Sequence, residues 1–317
     1  MTVAPLADRV RSGDPRALAR ALSLVEDGRP EGSSLIAALY PGTGNAWSIG
    51  VTGPPGAGKS TLVDHLARVL RARGATVGIL AVDPTSAFTG GAILGDRVRM
   101  QSHAADPGVF IRSMATRGHL GGLARATADA ALVLDAAGRD YVIIETVGVG
   151  QDEIDIVRLA DVSVVTLVPG AGDEVQALKA GIMEIADIFV VNKADRDGAD
   201  RMVSSIEAML ALQAVPAGGW VTPVLKTEAT RGVGVAELLD ALDRFRASSP
   251  SVVATRRTAR SRFQLHDQLV GVFLDRVASL VTTAELDAAA ERIAARAVDP
   301  RTAAARILSR VWAPGEE

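Results

Sequence analysis

The chain contains no cysteine among its 317 residues. Disulfides and thiolate metal sites are therefore excluded. Aromatic residues make up only 3%, so any core must be built mainly from Ala, Val, Leu and Ile. No run of about 18 consecutive apolar residues occurs, which argues against a membrane-spanning helix. The opening residues, MTVAPLADRVRSGDP, lack the apolar stretch of a secretory signal, and a cytoplasmic protein is the expectation. An excess of one charge is also missing. The 34 Lys and Arg nearly balance 37 Asp and Glu, for a net charge of −3. There is thus no general electrostatic reason to expect nucleic-acid or anionic-membrane binding. No internal repeat is evident.

Hydrophobic residues make up 48% of the chain, enough for one large α/β domain with helical extensions. Residues 1–46 read as a helical preface. Asp14 and Pro15 suit the cap and first turn of a helix, and Leu18, Leu22 and Val25 follow at helical spacing. Over 47–247, short apolar runs alternate with helical patterns. The strands expected are Trp47–Val51, Val77–Val82, Phe110–Arg112, Tyr141–Ile144, Val162–Val168, Ile188–Val191 and Val221–Leu225. The helices expected include Lys59–Arg73, Leu123–Ala137, Glu174–Ile185, Asp200–Leu212 and Val235–Arg246. Several strands are apolar on both faces, as in sheets covered by helices on each side. The pattern predicts an α/β fold with a doubly wound, mainly parallel sheet. Ala247–Ser251 reads as a linker, and residues 248–317 as a further helical region.

Residues 53–60 read GPPGAGKS, a complete phosphate-binding loop between a strand and a helix. Gly53, Pro54, Pro55, Gly56, Ala57 and Gly58 would wrap the phosphates with backbone N–H groups, and Thr61 continues into the helix. Lys59 would add a charge at the β- and γ-phosphates, and the Ser60 hydroxyl would bind Mg²⁺.

Four further strings narrow the nucleotide. Asn192, Lys193 and Asp195 belong to NKAD, directly after an expected strand. An Asp carboxylate accepts two hydrogen bonds from the Watson–Crick edge of guanine, an arrangement adenine does not offer. Glu145 ends the apolar run YVIIE and is followed by Thr146, Val147 and Gly148, an element like the DxxG of GTPases with Glu in place of Asp. The acid would lie near Mg²⁺, and Gly148 near the γ-phosphate as a switch point. Asp83 follows a third strand, and Asp96 offers a second carboxylate farther on; both suit Mg²⁺, its waters or the attacking water. Lys226, Thr227 and Glu228 stand where GTPases carry a second, short base-contacting loop.

Together these strings resemble the MeaB/ArgK family of P-loop GTPases. The resemblance runs over nearly the whole chain through GPPGAGKST at 53–61, AVDPTS at 81–86, GDRVRM at 95–100, ETVGVGQ at 145–151, NKAD at 192–195 and LKTEATRGVGV at 225–235. It implies a SIMIBI-type G domain (the class of dimerising P-loop GTPases) with a C-terminal helical dimerisation arm. It implies GTP hydrolysis with Mg²⁺ by a homodimer that chaperones an adenosylcobalamin-dependent mutase, typically methylmalonyl-CoA mutase, and gates its cofactor. By motif, Lys59, Asp83, Asp96 and Glu145 are the catalytic and metal-region residues. The segment 172–179 is similar to the family's third switch, with Asp173 and Lys179 as the coupling residues.

No glutamine stands out as the one that orients water; Gln151 is placed only by nearness. No arginine finger is assigned. Slow intrinsic hydrolysis raised by a partner is therefore expected. Two other readings remain. The older ArgK assignment implies a kinase or transport accessory, and no second substrate pocket speaks for it. A metal-delivery GTPase would need surface Cys or His ligands, and the only histidines are the scattered His65, His103, His119 and His266.

Overall fold

The structure is a computed structural model that describes residues 3–83, 103, 105–115, 122–146, 159–170, 185–212, 219–248 and 250–311. It divides into two compact units, Met1–Arg260 and Ser261–Glu317.

In the first unit three helices lead the chain: α1 (Val3–Arg11), α2 (Pro15–Glu26) and α3 (Pro30–Leu39). Asp14 caps α2, its carboxylate accepting from the N–H groups of Arg16 and Ala17, and Pro15 takes the first turn, where its missing N–H costs nothing. Seven strands follow: β1 (Trp47–Thr52), β2 (Val77–Asp83), β3 (Val109–Ala115), β4 (Tyr141–Thr146), β5 (Val162–Leu167), β6 (Ile188–Asn192) and β7 (Val224–Thr227). Between and after them lie α4 (Lys59–Ala72), α5 (Gly122–Ala136), α6 (Ala199–Leu210) and α7 (Val235–Ser248). The expected helix 174–185 falls outside the described residues except for its last position.

The strands form one sheet in the order β3-β2-β4-β1-β5-β6-β7, with every pairing parallel. Successive residues of a strand face opposite layers. Val142 and Ile144 join α1, α2, α3 and α5 in one core, whereas Ile143 between them packs with Leu62 and Leu66 of α4 and Leu239 of α7 in another. Phe189 and Val191 face α6, and Ile188 and Val190 face the α4–α7 layer. A fully buried aliphatic side chain of this kind contributes about 1.5–3 kcal/mol. β1 sits at the centre, where the strand order reverses, and ligands of open α/β sheets bind outside the carboxyl ends of strands at such a point.

Most boundaries shift by one to three residues from the sequence expectation, as where Val109–Ala115 replaces Phe110–Arg112, and two of the differences are instructive. The last strand begins at Val224 instead of Val221 and runs through Thr227, because Val191 pairs with Lys226 and Asn192 with Thr227. Pro223 has no N–H to give the ladder, and Val221 is exposed. The linker expected at 247–251 is helical at its described residues: α7 continues through Ser248, and a 31-residue helix, α8 (Pro250–Leu280), starts on a proline suited to a first turn.

The second unit holds the later part of α8 together with α9 (Thr283–Ala294) and α10 (Pro300–Val311). Thr282 and Glu285 form a reciprocal capping box at the start of α9. Asp299 caps α10 by accepting from the Thr302 N–H.

Candidate functional site

β1 ends at Thr52 and hands the chain to the phosphate loop. Gly53 has φ +142°, and a Cβ there would lie 2.0 Å from the Thr166 carbonyl oxygen. Gly58, just before α4, has φ +84°, and a Cβ there would lie 2.4 Å from Asn192 Nδ2. Side chains are excluded at both places by conformation and by space. Pro54 and Ala57 are buried, while Pro55 and Gly56 are exposed. Lys59 is buried, and its Nζ donates to the carbonyls of Gly53 at 2.7 Å and Pro54 at 2.9 Å. The Ser60 hydroxyl donates to Glu145 Oε1 at 2.6 Å, joining α4 to the end of β4. Thr61 lies in the first turn of α4, where N–H groups have no partner within their own helix.

The NKAD turn leaves β6 beside this loop. Asn192 is buried and acts in three directions. Its Nδ2 donates to the Ala57 carbonyl at 2.8 Å, and its Oδ1 accepts from the Thr227 hydroxyl and the Ala229 N–H, each at 3.0 Å. Lys193 adopts φ 55°, and its Nζ donates to the Gly56 carbonyl at 2.7 Å. Asp195 is exposed. Ala194 N–H donates to the Thr227 carbonyl, tying the turn to the end of β7. Lys226 pairs with Asp200 at 2.9 Å, and Glu228 with Arg231 at 2.8 Å.

The fold thus brings together residues 53–61, Glu145, Asn192, Lys193 and Thr227, with Lys226 and Glu228 at the neighbouring strand end. Asp83 ends β2, two strands from β1, and its side chain is outside the described residues. Asp96, Gly148, Gln151, Asp173 and Lys179 also lie outside them. Among the described residues, no group of three or more His, Asp or Glu is arranged to hold a metal ion by itself. No helix there is long and apolar enough to cross a membrane.

Sequence reasoning missed two features. One is the buried hydroxyl pair Thr52 and Thr146 at the ends of β1 and β4, in which Thr146 Oγ1 donates to Thr52 Oγ1 at 2.9 Å. A threonine ending each of two apolar runs was the available signal. The other lies at the opposite, amino ends of the strands. Asp161, just before β5, accepts from Arg257 Nε at 3.0 Å and Nη2 at 3.1 Å, and Arg260 lies 3.3 Å away. Asp187, just before β6, holds Arg256 by two bonds. Burial raises the pKa of Asp161, but the Arg257 bonds, the Arg260 charge and the Ser48 N–H outweigh it and hold the carboxyl below its ordinary value.

Residues 18–285 match the family model described as methylmalonyl Co-A mutase-associated GTPase MeaB. The chain belongs to the MeaB family of GTPases. A putative GTPase of Pyrococcus abyssi is 47% identical over 314 residues, 98% of this chain and 97% of that protein. The GTPase ArgK of Escherichia coli is 38% identical over 254 residues, 78% of this chain and 77% of that protein. Among solved structures, that of a LAO/AO transport system kinase superposes with a TM-score of 0.71 at 26% identity, covering 98% of both chains. The chain is accordingly a P-loop GTPase that binds guanine nucleotide, and its doubly wound parallel sheet is the fold that the family resemblance implied.

Proposed function

We propose that this MeaB-family GTPase couples GTP hydrolysis to chaperoning an adenosylcobalamin-dependent mutase of the methylmalonyl-CoA mutase kind and to gating its cofactor. The partner class rests on the family description. The observation that carries the nucleotide site is the double bridge between the two loops, Asn192 to Ala57 and Lys193 to Gly56. One nucleotide can then place its phosphates on residues 53–60 and its base at Asp195.

In this reading Lys59 leaves the carbonyls of Gly53 and Pro54 to meet phosphate oxygens, exchanging neutral acceptors for charged ones. The backbone N–H groups of the loop hold the remaining phosphate charge. Asp195 reads the guanine edge, and Thr227 fixes Asn192 beneath it. Ser60 and Glu145 set a hydroxyl beside a carboxylate, a pair of hard oxygen donors of the kind Mg²⁺ takes. These two would hold the ion, with Asp83 and Asp96 as further acids of that region. When bound, Mg²⁺ offsets charge on the transferred phosphoryl group. Hydrolysis would alter affinity for the mutase through Gly148, Asp173 and Lys179, and the nucleotide acts only through differential binding to the two states.

A homodimer in the cytoplasm completes the proposal, with residues 248–317 as its arm. Leu265, Leu269, Val272 and Leu280 of α8 are exposed in the single chain, an apolar face suited to a second copy. A kinase function has one point in its favour: the solved neighbour is described as a transport system kinase.

The test is co-purification of the full chain with methylmalonyl-CoA mutase in the presence of GDP or a non-hydrolysable GTP analogue, beside phosphate release from GTP and ATP. Nucleotide-dependent capture and GTP preference support the proposal. Capture that ignores the nucleotide, or faster turnover of ATP, removes it. Phosphate transfer to an added protein at the rate of GTP consumption would favour the kinase.

A further inference from the structure

We infer that the buried Thr52–Thr146 hydroxyl pair is a positioning device that sets the Ser60–Glu145 oxygens for the metal. This rests on the magnesium reading given under Proposed function. Val51 and Glu145 are register partners in the β1–β4 ladder, so Thr52 and Thr146 end the two strands side by side. Both are buried, at 2% and 0% exposure, and their hydroxyls meet at 2.9 Å.

Alternation along the strands gives this contact its meaning. Ile143 packs in the α4 layer, and so Glu145 points to the α4 side, where it accepts from Ser60. Ile144 belongs to the opposite layer, and Thr146 points that way with Thr52. The end of β4 is therefore pinned on both faces, by Glu145 to α4 and by Thr146 to β1. A twist of the strand end that moved the Glu145 carboxylate would have to break the threonine contact. Thr52 is also bonded covalently to Gly53, whose carbonyl accepts from Lys59 and where the Thr166 carbonyl leaves no room for a Cβ. Before a nucleotide draws Lys59 away, the path from Ser60 through Glu145, Thr146, Thr52 and Gly53 to Lys59 and back to Ser60 is a closed ring of covalent and hydrogen bonds; the Thr146–Thr52 contact does not depend on Lys59. A buried hydroxyl is costly unless bonded, and valine would fill the same volume and suit a strand better. The hydroxyls are explained by the contact they make with each other.

The experiment uses the full chain with Thr146→Val, Thr52→Val, the double variant and Thr146→Ser. A fluorescent GDP reports affinity in EDTA and then the Mg²⁺ concentration that gives half of the metal-dependent signal; melting temperature is recorded alongside. For each valine variant, the half-point should rise several-fold, with about tenfold, the full worth of one hydrogen bond, as the ceiling. Affinity in EDTA should stay within about twofold, as for a site not in contact with the change. Thr146→Ser should restore the half-point, and the double variant should be no worse than either single one. An unchanged half-point in the valine variants, or additive losses in the double, overturns the inference. If Thr146→Val melts far below the wild type, Thr52→Val carries the same test. A wild-type chain whose GDP signal ignores Mg²⁺ would overturn the magnesium reading and this inference together.

Discussion

The two ends of the sheet hold buried polar groups by different means. At the amino ends of β5 and β6, Asp161 and Asp187 are clamped by Arg256, Arg257 and Arg260, all from the first turns of α8. At the carboxyl ends, Lys59, Lys193 and Asn192 donate to backbone carbonyls of the phosphate loop, and Ser60 donates to Glu145. An Arg–carboxylate pair is strong and geometrically fixed. A Lys–carbonyl contact is readily exchanged for a phosphate oxygen. The contrast separates an end locked by opposite charge from an end held largely through neutral carbonyls, where the proposed nucleotide would take over the Lys59 contacts.

The sharpest way to break this contrast is at Lys59. Lys59→Ala should lower GTP turnover by about a hundredfold or more, since it removes a preorganised charge at the phosphoryl group. Melting of the nucleotide-free chain should change less than in the aspartate variant below, because the Lys59 bonds to Gly53 and Pro54 go to neutral carbonyls. Turnover near wild type would place the active site elsewhere.

The scaffold end should answer in the opposite sense. Asp161→Ala should cost roughly 3–5 kcal/mol of unfolding free energy, because two arginines lose their buried partner. GTP affinity of the folded variant should remain within about twofold. Urea unfolding together with nucleotide titration measures both, and a variant as stable as wild type would show that the clamp is incidental.

At Asp195 a smaller effect is expected, on selectivity instead of stability. Asp195→Asn should reduce the preference for GTP over ATP by roughly tenfold to a hundredfold, the worth of hydrogen bonds to a charged acceptor. Competition binding with both nucleotides checks it; unchanged selectivity would move base recognition away from this turn.

The smallest effect is in pH. Asp161 titrates below the ordinary 3.8 in the folded chain. Its contribution is thus complete above that value and is lost as pH falls through the lower folded one. Denaturant midpoints measured from pH 6 downward should show this loss in the wild type and a smaller one in Asp161→Asn. Parallel curves would remove the linkage.

Much of the site was legible in the sequence because loops that hold phosphate and base need particular residue types at fixed spacing. Gly53, Gly58, Lys59 and Ser60 lie within eight consecutive positions, and Asn192, Lys193 and Asp195 within four. The strands were legible as well, since residues buried on both faces leave continuous apolar runs such as Ile188–Val191. Boundaries were less so. Lys226 looks like a loop residue, yet it pairs with Val191 because the ladder, and not its own polarity, decides where β7 stops. Asp161 and Arg257 are 96 residues apart, and no local pattern joins them.

The chain by itself determined the class of fold and marked the glycine-rich loop and the NKAD turn proposed to hold the nucleotide, because these depend on short-range periodicity, glycine backbone freedom and fixed motif spacing. Only the tertiary structure decided that Asn192 reaches Ala57, that Glu145 meets Ser60, that Thr146 meets Thr52, and that three arginines of α8 close on Asp161 and Asp187. Those contacts join residues distant in sequence. They exist because the strand order sets β4 and β5 on either side of β1, with β6 and β7 beyond, a choice made by packing the whole sheet and written in no single segment.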